Sequence, residues 1–183
     1  MKTTLNLLIA FVLLGSPAMA QKFITKNGNI SFFSSTPMED IEAHNKQVNA
    51  ALDVETGDFV FKVLIKSFKF EKALMQEHFN ENYMESDEFP NATFVGKVAN
   101  HADIDFTKEG VYNAQIEGKL TIHGVSQDIE ETGTFTVSKK GIAGKSKFNI
   151  KVGDYNIDIP KTVINNIAES IEVTVAVDMK PLK

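Results

Sequence analysis

Alternation of apolar and polar residues is the feature that most limits what this chain can fold into. Between Asp58 and Phe68, large apolar residues occupy every second position from Phe59 to Ile65, and lysines share the opposite face with other residues. The same period of two runs from Ile171 to Met179. Because successive side chains of a strand point to opposite faces, this period predicts β-strands with one dry face and one wet face.

Short groups of turn-forming residues divide this pattern into about eight strands. They lie at Asn27-Gly28, Glu55–Asp58, Lys108–Gly110, His123-Gly124, Lys139–Gly141 and Val152–Asp154. Such groups predict tight connections between antiparallel neighbours. The predicted strands cover residues 29–35, 43–53, 58–68, 92–100, 111–122, 127–138, 142–151 and 170–179, with a short extra strand at 22–25.

A sheet of this width must curl, split or close, and closure removes exposed strand edges. We therefore predict an all-β fold, an antiparallel barrel of eight strands or slightly more. A sandwich of two sheets is the alternative.

One acidic segment near the middle of the chain departs from the alternation. Met75, Phe79 and Tyr83 recur four residues apart, which predicts an amphipathic helix of about three turns near residues 72–85. Pro90 then ends the segment, because a residue before proline avoids helical angles. A lone helix among antiparallel strands is typical of a cover over an open end. We expect residues 71–90 to form a lid whose apolar side chains face the barrel interior.

Three small residues, Gly133, Gly144 and Ser146, fall on faces that we predict to point inward. They have two explanations. The small side chains relieve strain or sit opposite large neighbours among the 14 phenylalanines, or they leave room for a ligand along the barrel axis. The sequence leaves both open.

The first twenty residues have the organisation of a secretory signal peptide. Lys2 precedes an apolar run of about ten residues, which is too short for a bilayer span, and Ala18 and Ala20 are the small residues that signal peptidase accepts. We expect cleavage after Ala20. Residues 21–183 would then form a single exported domain, in the periplasm or secreted, with no integral membrane segment.

The charge of the chain argues against a nucleic-acid partner. It has 24 acidic residues and 19 basic residues, a formal net charge of −5, and every basic residue is a lysine. Without arginine, planar bidentate binding of a phosphate is absent, which favours a neutral ligand over an anionic one. The chain also has no cysteine, so disulfides and thiolate metal ligands are excluded.

The sequence predicts no catalytic residue and no enzymatic activity. A Gly-x-Ser-x-Gly motif is missing, and the four histidines lie far apart at His44, His78, His101 and His123. We expect His123 to orient its turn by hydrogen bonding. Two spacings would also suit a metal ion, His78 with Glu81 or Glu85, and His101 with Asp103 and Asp105. A solvated acidic surface explains both spacings, so we assign no metal site and no cofactor.

Five blocks of the chain resemble the YceI-like family. In chain order they are GNISFFSSTPMEDIEAHN, VETGDFVFKVLIKSFKF, EHFNENYMESDEFPNATFVG, GKLTIHGVSQDI and FNIKVGDYNIDIP, and the resemblance runs from Phe23 to Met179. It implies a lipocalin-like antiparallel barrel, exported in many members. It also implies an elongated apolar tunnel that holds a polyisoprenoid chain, such as a quinone tail or an isoprenyl diphosphate.

We therefore expect a binding or carrier protein for a long apolar ligand, which would be a polyisoprenoid, an isoprenoid quinone or another lipid. The alternative is a ligand-free stress-response or protein-interaction module with a packed barrel. The candidate lining residues are Phe32, Phe61, Val63, Ile65, Phe94, Phe148, Val173 and Val175 in the barrel, and Met75, Phe79, Tyr83 and Phe89 at its mouth. Ordinary core packing would also explain each of them. The ligand's head group, the choice between monomer and homodimer, and metal binding at His78 or His101 stay open.

Overall fold

Eight antiparallel strands close into a barrel in the computed structural model, which describes residues 22–182. The strands are β1 (Lys22–Ser35), β2 (Asp40–Asp53), β3 (Asp58–Leu64), β4 (Lys69–Phe70), β5 (Asn91–Val98), β6 (Gly110–Ile122), β7 (Val125–Ser138), β8 (Gly141–Lys151) and β9 (Ser170–Pro181). The barrel order is β1-β9-β8-β7-β6-β5-β3-β2, and β2 pairs with β1 to complete the ring. The short β4 pairs only with β2.

The predicted barrel is confirmed, and the sandwich alternative is wrong. The predicted signal peptide and its cleavage site lie outside the described residues.

The predicted turn at Asn27-Gly28 is wrong, because β1 continues through it. The pairing of β1 with β2 shifts register between Thr25 and Gly28 and again before Ile30, which marks a β-bulge. A Cβ atom on Gly28 would lie only 2.7 Å from Cγ1 of Val177 on β9. Bulges and tight turns favour the same residue types, so this segment carries a turn signal without a turn.

Two other connections differ from the prediction. The strand expected at 58–68 ends at Leu64, where Ile65–Ser67 form a 3₁₀ turn before β4. The tight turn expected at Val152–Asp154 is a 3₁₀ turn, Val152–Tyr155, that opens a long connection to β9.

The helix predicted near residues 72–85 is present, but its second half is not α-helical. Helix α1 spans Ala73–His78 and is followed by a π-helical turn, Phe79–Tyr83. In this wider turn the backbone N–H of Met84 donates to the carbonyl oxygen of Phe79 at 2.9 Å.

The two ends of the barrel are built differently. One end, which we call the packed end, carries the 53–58 and 138–141 turns and the 98–110 connection. The other, which we call the capped end, carries the 35–40 turn, the 64–91 segment, the 123–124 turn and the 151–170 connection. The largest cluster of buried apolar residues fills the packed end, and its members include Phe23, Leu52, Phe59, Phe94, Val98, Ile104, Phe106, Phe135, Ile142 and Met179.

Strands β7 and β8 separate before they reach the capped end. They pair from Ser138 and Gly141 as far as Gly133 and Ser146. Beyond that point β7 stays paired with β6, and β8 stays paired with β9. We call the resulting gap between Val125–Thr132 and Lys147–Lys151 the seam.

Close approach of strands β5 and β6 supplies a test of this fold. Gly96 lies opposite Gly118, and a Cβ atom on Gly96 would collide with the carbonyl oxygen of Glu117 and lie 2.7 Å from Cα of Gly118. We expect Gly96→Ala to lower the free energy of unfolding by about 2 kcal/mol, because the backbones must move apart. Urea denaturation measures the change.

The matched control is Gly153→Ala, since no atom lies within 4 Å of the position that its Cβ atom would take. This control should change the free energy of unfolding by less than about 0.5 kcal/mol. Equal effects of the two substitutions would contradict the strand spacing.

Candidate functional site

A cavity of about 410 Å³ lies inside the barrel between the packed end and the cap. Aromatic rings form its floor, one pair from the non-adjacent strands β3 and β7 and one pair from the neighbours β3 and β5. The ring centroids of Phe59 and Phe135 are 5.6 Å apart, and those of Phe61 and Phe94 are 6.4 Å apart. Side chains therefore cross the axis at the packed end, and the cavity extends from this floor to the cap.

The small inward residues Gly133, Gly144 and Ser146 all line this cavity. A Cβ atom on Gly144 would lie 3.1 Å from Phe135 and from Val177. A Cβ atom on Gly133 would lie 2.7 Å from the carbonyl oxygen of Lys145. Both explanations for these residues therefore hold, because the glycines permit close packing and also add no bulk to the cavity wall.

The first half of the cap is the 71–90 segment, and four phenylalanines attach it to the barrel. The ring of Phe79 lies 5.5 Å from that of Phe32, 5.6 Å from that of Phe68 and 5.0 Å from that of Phe70, measured between centroids. Aromatic pairs at these distances contribute about 0.5–1.5 kcal/mol beyond the area that they bury. The cluster positions Phe79 over the mouth of the cavity.

The second half of the cap is the connection 152–169, which the sequence reasoning did not assign to the site. Tyr155 and Ile157 are buried against Ile65, Met84 and Ile122. Ile157 also lines the cavity, together with three other apolar residues of this connection, Ile159, Val163 and Ile167. The apolar residues at alternate positions 155, 157 and 159 were the available signal.

A hydrogen-bonded group, which we call the latch, joins the cap halves to the turn between β1 and β2. Lys72 and Asn166 each donate to the Glu39 carboxylate over 3.2 Å. The hydrogen bonds from Lys72 and then Asn166 lower the pKa of Glu39. The backbone N–H of Ala168 also donates to Ser34 Oγ at 2.8 Å. The latch therefore connects three segments that are distant in sequence.

All but one of the predicted lining residues surround the cavity. They are Phe32, Phe61, Val63, Ile65, Met75, Phe79, Tyr83, Phe94, Phe148, Val173 and Val175. Phe89 does not line it, because its ring packs on His123 with centroids 4.6 Å apart and contacts Gly124.

His123 connects the 123–124 turn to both halves of the cap. His123 and Gly124 both have positive φ angles, 50° and 73°, as a two-residue hairpin turn requires. His123 Nε2 lies 2.8 Å from a carboxylate oxygen of Glu85, and its Nδ1 lies 3.3 Å from the carbonyl oxygen of Tyr155. The expected hydrogen bonding of this histidine therefore reaches beyond its own turn.

Within residues 22–182, no group of three or more His, Asp or Glu side chains is arranged to hold a metal ion. Glu85 bonds to His123, and His78 lines the cavity. Asp105 accepts hydrogen bonds from the backbone and hydroxyl of Thr107, which lower its pKa.

None of the helices within residues 22–182 has the length and apolar character of a membrane span.

Two side chains with raised pKa values line the mainly apolar cavity. Burial raises the pKa of Tyr83 in the cap and of Glu131 on β7. The sequence reasoning did not identify Glu131. Glu131 lies between Ile129 and Gly133 in the alternation, and this position would have predicted that it faces inward.

Eight closed antiparallel strands around an apolar cavity define a lipocalin-like β-barrel. A family model described as a YceI-like domain matches residues 22–179, and the chain belongs to this family. A comparison with curated proteins finds no match.

Three solved structures with low sequence identity share the fold. A polyisoprenoid binding domain from Saccharophagus degradans, implicated in plant cell wall breakdown, superposes with a TM-score of 0.77 at 14% identity, covering 90% of this chain and 100% of that one. Burkholderia cenocepacia BcnA gives 0.67 at 17% identity, with coverages of 81% and 94%. The Campylobacter jejuni YCEI protein gives 0.58 at 19% identity, with coverages of 77% and 84%.

The latch predicts that Lys72→Met loosens the cap. Loss of the ion pair should speed amide hydrogen exchange in residues 73–83 and 160–167 by roughly two- to fivefold, with little change in Tm.

Lower pH should loosen the cap in the same way. Because the folded pKa of Glu39 is lowered, the latch is complete above the ordinary pKa of 4.5 and is lost as the pH falls through the folded value.

Lys97→Met is the control, since it removes an exposed ion pair to Glu117 of the same 3.2 Å length on the barrel wall. Exchange in the cap should not change in this variant. A cap that exchanges equally in both variants would refute the latch.

Proposed function

We propose that this chain is an exported binding or carrier protein that holds a long apolar ligand inside its barrel. The ligand would be a polyisoprenoid, an isoprenoid quinone or another lipid. The hollow apolar cavity under the cap is the observation that carries the proposal. We assign no catalytic residue.

The size and lining of the cavity suit such a ligand. Its volume of about 410 Å³ falls in the range of small-molecule sites, and most of its lining is aromatic or aliphatic. Each buried methylene contributes ~0.8 kcal/mol, so three isoprene units would contribute on the order of 10 kcal/mol before the costs of ordering. Binding of this kind needs apolar area and few polar contacts.

The comparisons and the first twenty residues supply further support. The Saccharophagus degradans domain with the same fold is described as polyisoprenoid binding. The apolar run after Lys2 and the small residues Ala18 and Ala20 support export and cleavage. The packed-barrel alternative is less well supported, because a cavity of about 410 Å³ remains inside the barrel.

The first test is the mass of the protein as purified. Native mass spectrometry should detect bound lipid that organic solvent extracts, and the same spectrum reports whether the protein is a monomer or the homodimer left open above. A protein that carries no lipid and binds no added farnesol or ubiquinone would contradict the proposal.

Val173→Phe tests whether the ligand occupies this cavity. Val173 of β9 lines the cavity and pairs with Phe32 of β1 on one side and Phe148 of β8 on the other. The larger ring would take space that a ligand needs. We expect affinity for farnesol to fall at least about tenfold, measured by fluorescence competition, while the folded state is retained because the cavity can accept the ring.

The control places the same substitution outside the barrel, as Val95→Phe, because Val95 is 62% exposed. Affinity should be unchanged in this control. If both variants bind farnesol as the wild type does, the ligand lies elsewhere.

A further inference from the structure

Glu131 is a carboxyl group in an apolar wall. It shares the inward face of β7 with Ile129, Gly133 and Phe135, and it lies opposite Ile116 of β6. A polar group in such surroundings costs free energy unless it is hydrogen-bonded. The position therefore calls for an explanation beyond packing.

Within residues 22–182, Glu131 has neither a hydrogen bond nor an ion pair, and burial is the sole cause of its raised pKa. Lys145 of β8 lines the same cavity, opposite Thr134 in the β7–β8 ladder, and two other lysines on neighbouring strands form ion pairs with other residues. Lys147 pairs with Glu172 and Lys119 pairs with Asp128, each over 2.8 Å. The carboxylate therefore faces the cavity as a free hydrogen-bond acceptor.

The seam begins beside this residue. The last pair of the β7–β8 ladder is Gly133 with Ser146, and Ser146 Oγ donates to the carbonyl oxygen of Thr132 at 2.6 Å. Beyond it, no ladder joins β7 to β8 in the described residues. Glu131 thus lies where the apolar cavity meets a gap in the barrel wall, a place where a ligand with an apolar tail can present a polar end.

We propose that Glu131 accepts a hydrogen bond from the polar end of the ligand, and that this end is a hydroxyl or an amine. The inference rests on the proposed function, because it concerns the same ligand in the same cavity. A phosphate or carboxylate end would meet a like charge at Glu131. The chain also has no arginine, the residue best suited to bind a phosphate or a carboxylate, which further disfavours an anionic end.

Three probes with the same fifteen-carbon tail test the inference: farnesol, farnesyl methyl ether and farnesyl diphosphate. The ether lacks the hydrogen-bond donor, and the diphosphate is an anion. The wild type should bind farnesol about tenfold more tightly than the ether, because only farnesol can donate a hydrogen bond to Glu131, and should bind the diphosphate more weakly than farnesol. Fluorescence competition measures all three affinities.

Glu131→Leu should abolish the preference for farnesol, leave affinity for the ether unchanged and improve binding of the diphosphate. The matched control is Glu130→Leu, because Glu130 is exposed on the outward face of the same strand. This control should keep the wild-type preferences. Glu131→Gln is a second variant that retains an acceptor without the charge, and it should keep part of the farnesol preference while accepting the diphosphate.

Several results would overturn the inference. One is a farnesol preference that survives in Glu131→Leu, and another is a preference lost equally in Glu130→Leu. A preference that disappears in Tyr83→Phe but not in Glu131→Leu would place the polar end at the cap instead. If the wild type binds none of the probes, the proposed function and this inference both fail, whereas binding without a preference removes the inference alone.

Discussion

Pairing of β1 with both β2 and β9 closes the sheet, and every other feature of the molecule depends on that closure. The first described strand lies between a neighbour in sequence and the last strand of the chain. Closure satisfies the backbone groups that an open edge would expose, and it turns the inward face of every strand toward one enclosed space. The period of two in the sequence then decides which side chains enter that space.

Side-chain size decides which parts of the interior are packed and where the cavity remains. Phe59, Phe94 and Phe135 meet across the packed end, where they contribute to the stability of the barrel. Gly144, beside Phe135 and Val177, and Ser146 occupy inward positions of β8 and add little bulk to the cavity wall. The proposed carrier function uses this arrangement, because packed clusters stabilise the fold while the cavity between them remains available for a ligand.

The sequence predicted the strands well, since they follow from local alternation. The same alternation placed most of the proposed lining residues around the cavity, and their contact with a ligand stays a prediction. It failed where distant segments determine the structure. The bulge at Gly28 depends on the approach of Val177, and the latch depends on a contact between Glu39 and Asn166. Local periodicity carries no record of such contacts. Phe89 lies away from the cavity for a related reason, because the end of the cap packs on the 123–124 turn.

The pairing of β1 with β9 also has a kinetic consequence. Phe23 pairs with Pro181, so the two strands that complete the ring come from opposite ends of the described chain. A chain synthesised from its N-terminus cannot form this ladder until the last strand has emerged, and contacts of such wide sequence separation slow folding. Until then β1 and β8 each keep an unpaired edge, which makes the nearly complete sheet the species most exposed to aggregation.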